Sequence, residues 1–129
     1  MIAVDTSAIY AMIAAEPEEA LLRAALGSGD SFVMSAGNVL ELQLVTAGRG
    51  ISWEKIQQIL ESYNIAVRAF DEPQLQVARA AVVKYGRGRH PAKLNYGDCF
   101  AYALAKSEGA PLLYVGGDFA LTDVRSALA

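Results

Sequence analysis

The sequence IAVDTSA at residues 2–8 joins a short apolar run to a polar Asp-Thr-Ser step. Apolar residues at positions 2–4 are typical of a buried strand, and Thr6-Ser7 is a common way to start a helix. Strand-like segments alternate with helix-like segments through the rest of the chain. This alternation predicts an α/β fold in which helices cover the faces of a mostly parallel sheet.

The predicted elements can be placed along the whole sequence. We predict strands at residues 2–5, 31–34, 65–69 and 112–115, with an additional edge strand near residue 124. We predict helices at residues 8–15, 17–26, 36–47 and 96–107, with two more that begin near residues 52 and 72. Glu41 is expected to border the inward face of its helix, because Leu44 and Val45 follow it by three and four residues. The helix that begins near residue 72 is expected to bury Leu75, Ala78, Val82 and Val83.

Composition limits the class of protein. The chain has 129 residues, of which 53% are hydrophobic, which suits one domain spanning residues 1–129. No apolar run approaches the length of a membrane span, and the N-terminus does not resemble a secretion signal. The only cysteine, Cys99, lies in an apolar helical context typical of a buried, inert thiol. We therefore expect a cytoplasmic protein with no membrane contact.

Four carboxylates, those of Asp5, Glu41, Asp98 and Asp118, stand at or inside apolar segments, where an unpaired charge is costly. Ligands of parallel sheets bind beyond the carboxyl ends of the strands, and the predicted topology can bring these four residues to that edge. Clustered carboxylates repel one another, and oxygen ligands without nearby His or Cys favour Mg²⁺ or Mn²⁺. We therefore predict a metal site. Each residue also has a simpler interpretation, as a helix cap, a turn cap or a partly exposed helix acid.

Three further features bear on this site. Ser7 is most simply a helix cap, although its hydroxyl could order Asp5 or a metal-bound water. Asp123 is either a cap or a group that supports the four acids. A basic segment could hold the phosphates of a nucleic acid, despite the net charge of −3, because the local field matters most. Its alternative is a solvated loop, and its candidate residues for nucleic-acid binding are Lys84, Arg87, Arg89 and Lys93.

The chain resembles the PIN-domain ribonucleases, and specifically the VapC-type toxins of bacterial toxin–antitoxin modules. Residues 2–8 resemble their first strand and first acid, Glu41-Leu42 their second acid, and residues 116–123 their closing segment. The most specific match is residues 85–105, which contain Asp98. Where many relatives carry an acid or a polar residue, this chain has Gly117.

The resemblance implies a PIN-like three-layer α/β/α architecture with a central, mostly parallel sheet of four to five strands. It also implies an endoribonuclease that depends on a divalent ion, Mg²⁺ with Mn²⁺ as the alternative. Asp5 and Asp98 would be its principal metal ligands, and Glu41 and Asp118 would complete the acidic pocket. The implied partners are an RNA substrate, a cognate antitoxin and a second copy of the chain, with the helices at residues 8–26 and 52–63 as a candidate antitoxin surface.

Two other functions compete with this hypothesis. A haloacid-dehalogenase-like phosphatase needs a second Asp two residues after its nucleophile, and Ser7 stands there instead. A non-catalytic binding module would act only within a toxin–antitoxin repressor complex. Retention of four acids argues against this module without excluding it, and an RNA-cleavage assay with and without metal separates the two functions.

Overall fold

A parallel four-stranded sheet lies at the centre of the computed structural model, which describes residues 1–128. Its strands are β1 (Ile2–Val4), β2 (Phe32–Ser35), β3 (Ile65–Arg68) and β4 (Leu112–Leu113), in the spatial order β3-β2-β1-β4. All three strand pairs are parallel. The predicted α/β class and strand direction are therefore confirmed.

The predicted edge strand near residue 124 is reduced to a single bridge. Ser126 pairs with Leu112 in parallel. The Leu112 N–H donates to the Arg125 carbonyl at 2.8 Å, and the Ala127 N–H donates to the Leu112 carbonyl at 2.9 Å. The C-terminal segment therefore covers the outer edge of β4 without extending the sheet by a full strand.

Six α-helices and one short 3-10 helix accompany the strands within residues 1–128. They are α1 (Thr6–Ile13), α2 (Glu19–Leu26), α3 (Ala36–Ala47), α4 (Trp53–Ser62), α5 (Glu72–Tyr85), α6 (Tyr96–Glu108) and the 3-10 helix Phe119–Leu121. The second helix begins two residues later than predicted, at Glu19 rather than at Pro17. Side chains of Asp5, Ser35, Ser52, Asp71 and Asn95 cap five of the helices.

The sheet separates two apolar cores. Successive residues of a strand point to opposite faces, so Val4 joins the core with α1 to α4 and Ala3 joins the core with α5 and α6. β2 alternates in the same way, since Met34 lies in the first core and Val33 in the second. This arrangement gives the three-layer α/β/α architecture.

Two predicted helix faces need correction. In α3, Glu41 is half-buried beside Leu42, as expected, but Leu44 and Val45 are exposed, and the buried residues are Asn38, Val39, Leu42 and Thr46. In α5, Leu75, Val82 and Val83 are exposed, and the buried residues are Gln74, Ala78, Ala81 and Tyr85. The prediction favoured the larger apolar side chains. The structure instead places small residues of α5 in one core with small residues of α6, which allows the two helices to approach closely.

Among residues 1–128, none of the helices combines the length and the apolar character that a bilayer span requires.

Candidate active site

Asp5 lies where β1 ends and α1 begins. Its backbone N–H donates to the Leu113 carbonyl of β4 at 2.9 Å, which holds it at the carboxyl edge of the sheet. Its side chain caps α1, because Oδ2 accepts a hydrogen bond from the Ser7 N–H at 3.0 Å. The Ser7 hydroxyl accepts a hydrogen bond from the Val115 N–H at 3.0 Å. The cap of α1 is therefore Asp5 and not Ser7, and the Ser7 hydroxyl instead fixes the exit of β4 beside Asp5.

Asp98 occupies the first turn of α6. It forms a reciprocal capping box with Asn95: Oδ2 of Asp98 accepts from the Asn95 N–H at 3.0 Å, and Oδ1 of Asn95 accepts from the Asp98 N–H at 2.9 Å. The side chain is largely buried, with 8% of its residue surface exposed. The capping box therefore fixes the orientation of the Asp98 carboxylate.

Glu41 reaches the same region from α3. Its Oε1 accepts a hydrogen bond from the Thr6 hydroxyl at 2.5 Å and another from Nδ2 of Asn38 at 3.1 Å. The carboxylate also lies against Gly97, where a Cβ would overlap it. Close approach between Glu41 and α6 therefore requires the glycine before Asp98.

Asp5, Glu41 and Asp98 line one open pocket of about 340 Å³. All four predicted acids line it, and Asp118 is the exposed member among them. The complete lining is Asp5, Thr6, Ser7, Tyr10, Glu41, Val45, Asn95, Asp98 and Asp118. The structure therefore brings together residues separated by more than a hundred positions in sequence, and no lysine or arginine is among the lining residues of the described chain.

The pKa values of two pocket acids reflect their burial first and the neighbouring negative charges second. Burial raises the pKa of Asp5 from 3.8 to about 6, hydrogen bonds from Ser7 oppose the rise, and the Glu41 charge adds to it. Burial also raises the pKa of Asp98 from 3.8 to about 7, opposed by the Asn95 hydrogen bond and increased by the charges of Asp5, Asp118 and Glu41. A cation in the pocket would favour the ionised form of both groups.

The donor set of the pocket fits a hard divalent cation that keeps part of its water shell. Within residues 1–128, no group of three or more His, Cys, Asp or Glu side chains converges closely enough to ligate one ion directly. Mg²⁺, however, is usually bound through one or two carboxylates and several waters. The two buried carboxylates Asp5 and Asp98 meet that requirement, with oxygen atoms alone as ligands.

The structure separates Asp123 from this pocket. Its carboxylate accepts hydrogen bonds from the Tyr102 hydroxyl at 2.7 Å and from the Lys106 ammonium at 3.0 Å. These partners tie the C-terminal segment to α6, and Asp123 does not line the acidic pocket. The arrangement does not support the prediction that Asp123 assists the four acids.

The predicted RNA-binding residues also lie outside the pocket. Lys84 is exposed in the last turn of α5, and Arg87, Arg89 and Lys93 are exposed on the segment that joins α5 to α6. Arg87 lines the neighbouring α5–α6 groove, and Asn95 lines both this groove and the acidic pocket. The groove and the acidic pocket therefore adjoin at Asn95, and no lysine or arginine of the described residues lines the pocket.

Sequence reasoning missed four polar residues of the site: Thr6, Tyr10, Asn38 and Asn95. Asn38 gave a usable signal, because asparagine is unfavourable inside a helix and often hydrogen-bonds elsewhere. Asn95 gave another, since an Asn three residues before Asp98 matches a capping pattern. Tyr10 gave no such signal.

Comparisons with known proteins agree with this geometry. Residues 2–124 match the PIN domain family. The chain is 42% identical over 123 residues to Ribonuclease VapC of Mycolicibacterium smegmatis, covering 94% of this chain and 95% of that protein. It is 44% identical over 128 residues to Ribonuclease VapC42 of Mycobacterium tuberculosis, covering 96% and 97% of the two chains.

Two solved structures share the fold. The Mycobacterium tuberculosis toxin VapC20, described as cleaving the Sarcin-Ricin loop, superposes with a TM-score of 0.74 at 18% identity and covers 97% of this chain and 99% of its own. A toxin–antitoxin complex from Klebsiella pneumoniae superposes with a TM-score of 0.68 at 15% identity. The match covers 93% of this chain and 91% of the Klebsiella pneumoniae chain. The sequence matches and the shared fold together show that this chain belongs to the PIN-domain family, among the VapC ribonucleases.

Proposed function

We propose that the chain is a Mg²⁺-dependent endoribonuclease, with Mn²⁺ as an alternative ion, and that it acts as the toxin of a toxin–antitoxin pair. The main support is the acidic pocket, in which two buried carboxylates have raised pKa values and face two further acids. Such a pocket binds an unprotonated substrate phosphate poorly unless a cation first neutralises it.

Asp5 and Asp98 would hold the ion. A divalent ion supplies Lewis acidity and lowers the pKa of a nearby water. Glu41, fixed by Thr6 and Asn38, would orient the attacking water. Asp118, on the exposed side of the pocket, would accept its proton as the new bond to phosphorus forms and the bond to the leaving oxygen breaks.

The substrate contacts would come from the neighbouring basic segment. Lys84, Arg87, Arg89 and Lys93 would hold phosphates flanking the cleaved bond, because exposed cations contact a nucleic-acid backbone independently of sequence. The choice of RNA rests on the similarity to proteins named as ribonucleases.

The antitoxin would dock where α1, α2 and α4 meet. This part of the structure contains a groove of about 280 Å³ whose lining includes Arg23, Lys55, Ile59 and Tyr63. The mixed lining suits a partner segment that combines acidic and apolar side chains. The Klebsiella pneumoniae relative in fold is itself part of a toxin–antitoxin complex, which supports an antitoxin partner here.

A second copy of the chain would pack on a different surface, which we name the dimer face. It combines the exposed apolar side chains of α3, α5 and α6. α6 contacts both α3 and α5, so these exposed side chains stand on contacting helices, and a contiguous apolar patch on a soluble protein would mark an interface. We propose a homodimer of single-domain chains, residues 1–129, in the cytoplasm. The dimer face consists of Leu40, Leu44, Val45, Leu75, Val82, Val83 and Tyr96.

An RNA-cleavage assay tests the enzymatic proposal. The wild type is incubated with structured RNA in Mg²⁺ and in EDTA, beside the variants Asp5→Asn and Asp71→Asn. Asparagine can still cap a helix, so Asp5→Asn preserves the start of α1 while removing a metal ligand. Asp71→Asn changes another helix-capping Asp, at α5 and outside the pocket, and serves as the matched control.

We expect cleavage by the wild type and by Asp71→Asn in Mg²⁺, and none in EDTA or by Asp5→Asn. Cleavage that persists in EDTA would refute the metal mechanism. Failure of the wild type on every RNA tried would favour the binding module that acts only within a repressor complex.

A further inference from the structure

Asn38 is a fully buried polar residue in the first turn of α3. Its Nδ2 donates to two oxygen atoms, Oε1 of Glu41 at 3.1 Å and the Gly97 carbonyl at 2.9 Å. Its Oδ1 has no hydrogen-bond partner among residues 1–128. Because both neighbours are acceptors, the amide must present its NH₂ group to them, and Oδ1 is left over.

The two oxygens that Asn38 bridges belong to different walls of the acidic pocket. Glu41 is on α3, whereas Gly97 immediately precedes Asp98 on α6. The carboxylates of Glu41 and Asp98 repel each other, which favours separation of the two helices at this point. The amide of Asn38 opposes that separation by binding to both sides at once.

α1 forms a third wall of the pocket through Thr6. The Thr6 hydroxyl lies 2.5 Å from Oε1 of Glu41 and 3.1 Å from the Asn38 carbonyl. α1, α3 and α6 therefore meet around one carboxylate oxygen. The space that Gly97 leaves by lacking a Cβ is what the Glu41 carboxylate fills.

We propose that Asn38 is a positioning residue that fixes the separation of Glu41 and Asp98, so that the pocket is already arranged for its ion before the ion arrives. This inference rests on the proposed function and extends it to a residue that lies outside the pocket lining. Asn38 acts through Glu41 and through the first turn of α6. It touches neither the substrate nor the ion.

The side-chain chemistry supports this role over one of stability alone. Only an amide of this length offers two donors to two acceptors, while aspartate would present an acceptor to both. The buried Oδ1 without a partner is destabilising, and leucine, an apolar side chain of similar volume, would remove it. Leucine would also take away the donor that joins the Glu41 carboxylate to the Gly97 carbonyl, so the amide is suited to holding the two pocket walls together.

The test measures metal binding without RNA. The Mn²⁺ dissociation constant is measured by isothermal titration calorimetry for the wild type, Asn38→Leu, Asn38→Ser and Thr46→Val, and the melting temperature of each metal-free protein is recorded. Thr46 is the matched control, because it is a fully buried polar residue of the same helix whose hydroxyl bonds to the Leu42 carbonyl, away from the pocket. Loss of a group that orients a metal ligand typically weakens metal binding by about 10- to 100-fold.

We expect weakening of at least about 10-fold in either Asn38 variant that folds, and Mn²⁺ affinity near that of the wild type in Thr46→Val. Unchanged affinity in the Asn38 variants, or an equal loss in Thr46→Val, would overturn the positioning role while leaving the proposed function intact. Failure of both Asn38 variants to fold would assign Asn38 to stability and overturn the role as well. A wild type that binds no Mn²⁺ would overturn the metal site itself, and the positioning role with it.

Discussion

Replacing Asp98 with asparagine should stabilise the metal-free protein at pH 8. The pKa of Asp98 is raised from 3.8 to about 7 in the folded state, by burial and by the charges of Asp5, Asp118 and Glu41. Between pH 3.8 and about pH 7 the folded state therefore binds more protons than the unfolded state, because Asp98 stays protonated to a higher pH when it is folded. Stability must then fall as the pH rises from about 4 to about 7, and it stays at the lower level above that range.

The size of the stability change follows from the rise in the pKa of Asp98. A rise of about 3 pKa units, at 1.36 kcal/mol per unit, corresponds to about 4 kcal/mol. Solvent reaches part of this open pocket and screens the interaction, so we expect about 2 kcal/mol in practice. Asparagine retains an oxygen that can accept the Asn95 N–H, so the capping box loses little. Asp98→Asn should thus gain about 2 kcal/mol over the wild type at pH 8 and less than half of that at pH 5, which lies about one unit inside a fall that spans about three pH units.

The measurement is urea unfolding in EDTA at pH 5, 6, 7 and 8 for the wild type, Asp98→Asn and Asp71→Asn. Asp71 caps α5 outside the pocket, so Asp71→Asn should follow the wild-type pH profile. Wild-type stability that is constant or rises over this pH range would refute the reasoning. So would an Asp98→Asn variant that is no more stable than the wild type at pH 8.

Three other changes test separate parts of the structure. Gly97→Ala should lower the free energy of unfolding in urea by about 1–3 kcal/mol and also lower RNA cleavage, because the new Cβ overlaps the Glu41 carboxylate. Wild-type stability together with wild-type cleavage would contradict the geometry of the pocket. The double variant Arg87→Ala with Arg89→Ala should weaken RNA binding and reduce the slope of log affinity against log salt by about 0.7 per lost phosphate contact, whereas an unchanged slope would remove the basic segment from the interface. Leu44→Lys should yield monomers in light scattering, while Leu21→Lys, at an exposed leucine outside the dimer face, should not; dimers of Leu44→Lys would place the interface elsewhere.

Much of the site could be predicted because its residues stand at the ends of elements. Asp5 follows a β-strand and Asp98 begins a helix, and both boundaries can be recognised from local sequence. The parallel topology then brings them to one edge, since β1 pairs with β4. Local pattern and general topology together were sufficient for these acids.

The residues that support Glu41 could not be predicted in the same way. Which face of α3 is buried depends on packing against α1 and α6, and the exposed apolar residues Leu44 and Val45 pointed to the wrong face. The contact from Asn38 to the Gly97 carbonyl spans 59 positions, and no local pattern encodes such a contact. For Asp123, position in the closing segment suggested support of the four acids, whereas its carboxylate accepts hydrogen bonds from Tyr102 and Lys106.

The simpler interpretation of Asp5 and Asp98, as helix caps, turns out to be compatible with their proposed role as ligands. Asp5 caps α1 by accepting the Ser7 N–H through Oδ2, and Asp98 completes the capping box of α6 by accepting the Asn95 N–H through Oδ2. A cap fixes the side-chain torsions of the carboxylate, so the second oxygen is held in place without further support. The starts of α1 and α6 therefore stabilise the fold and also orient two oxygens toward the site proposed for the ion. Glu41 lies within its helix rather than at its start and has no such cap, which is why it needs Thr6 and Asn38 to hold it.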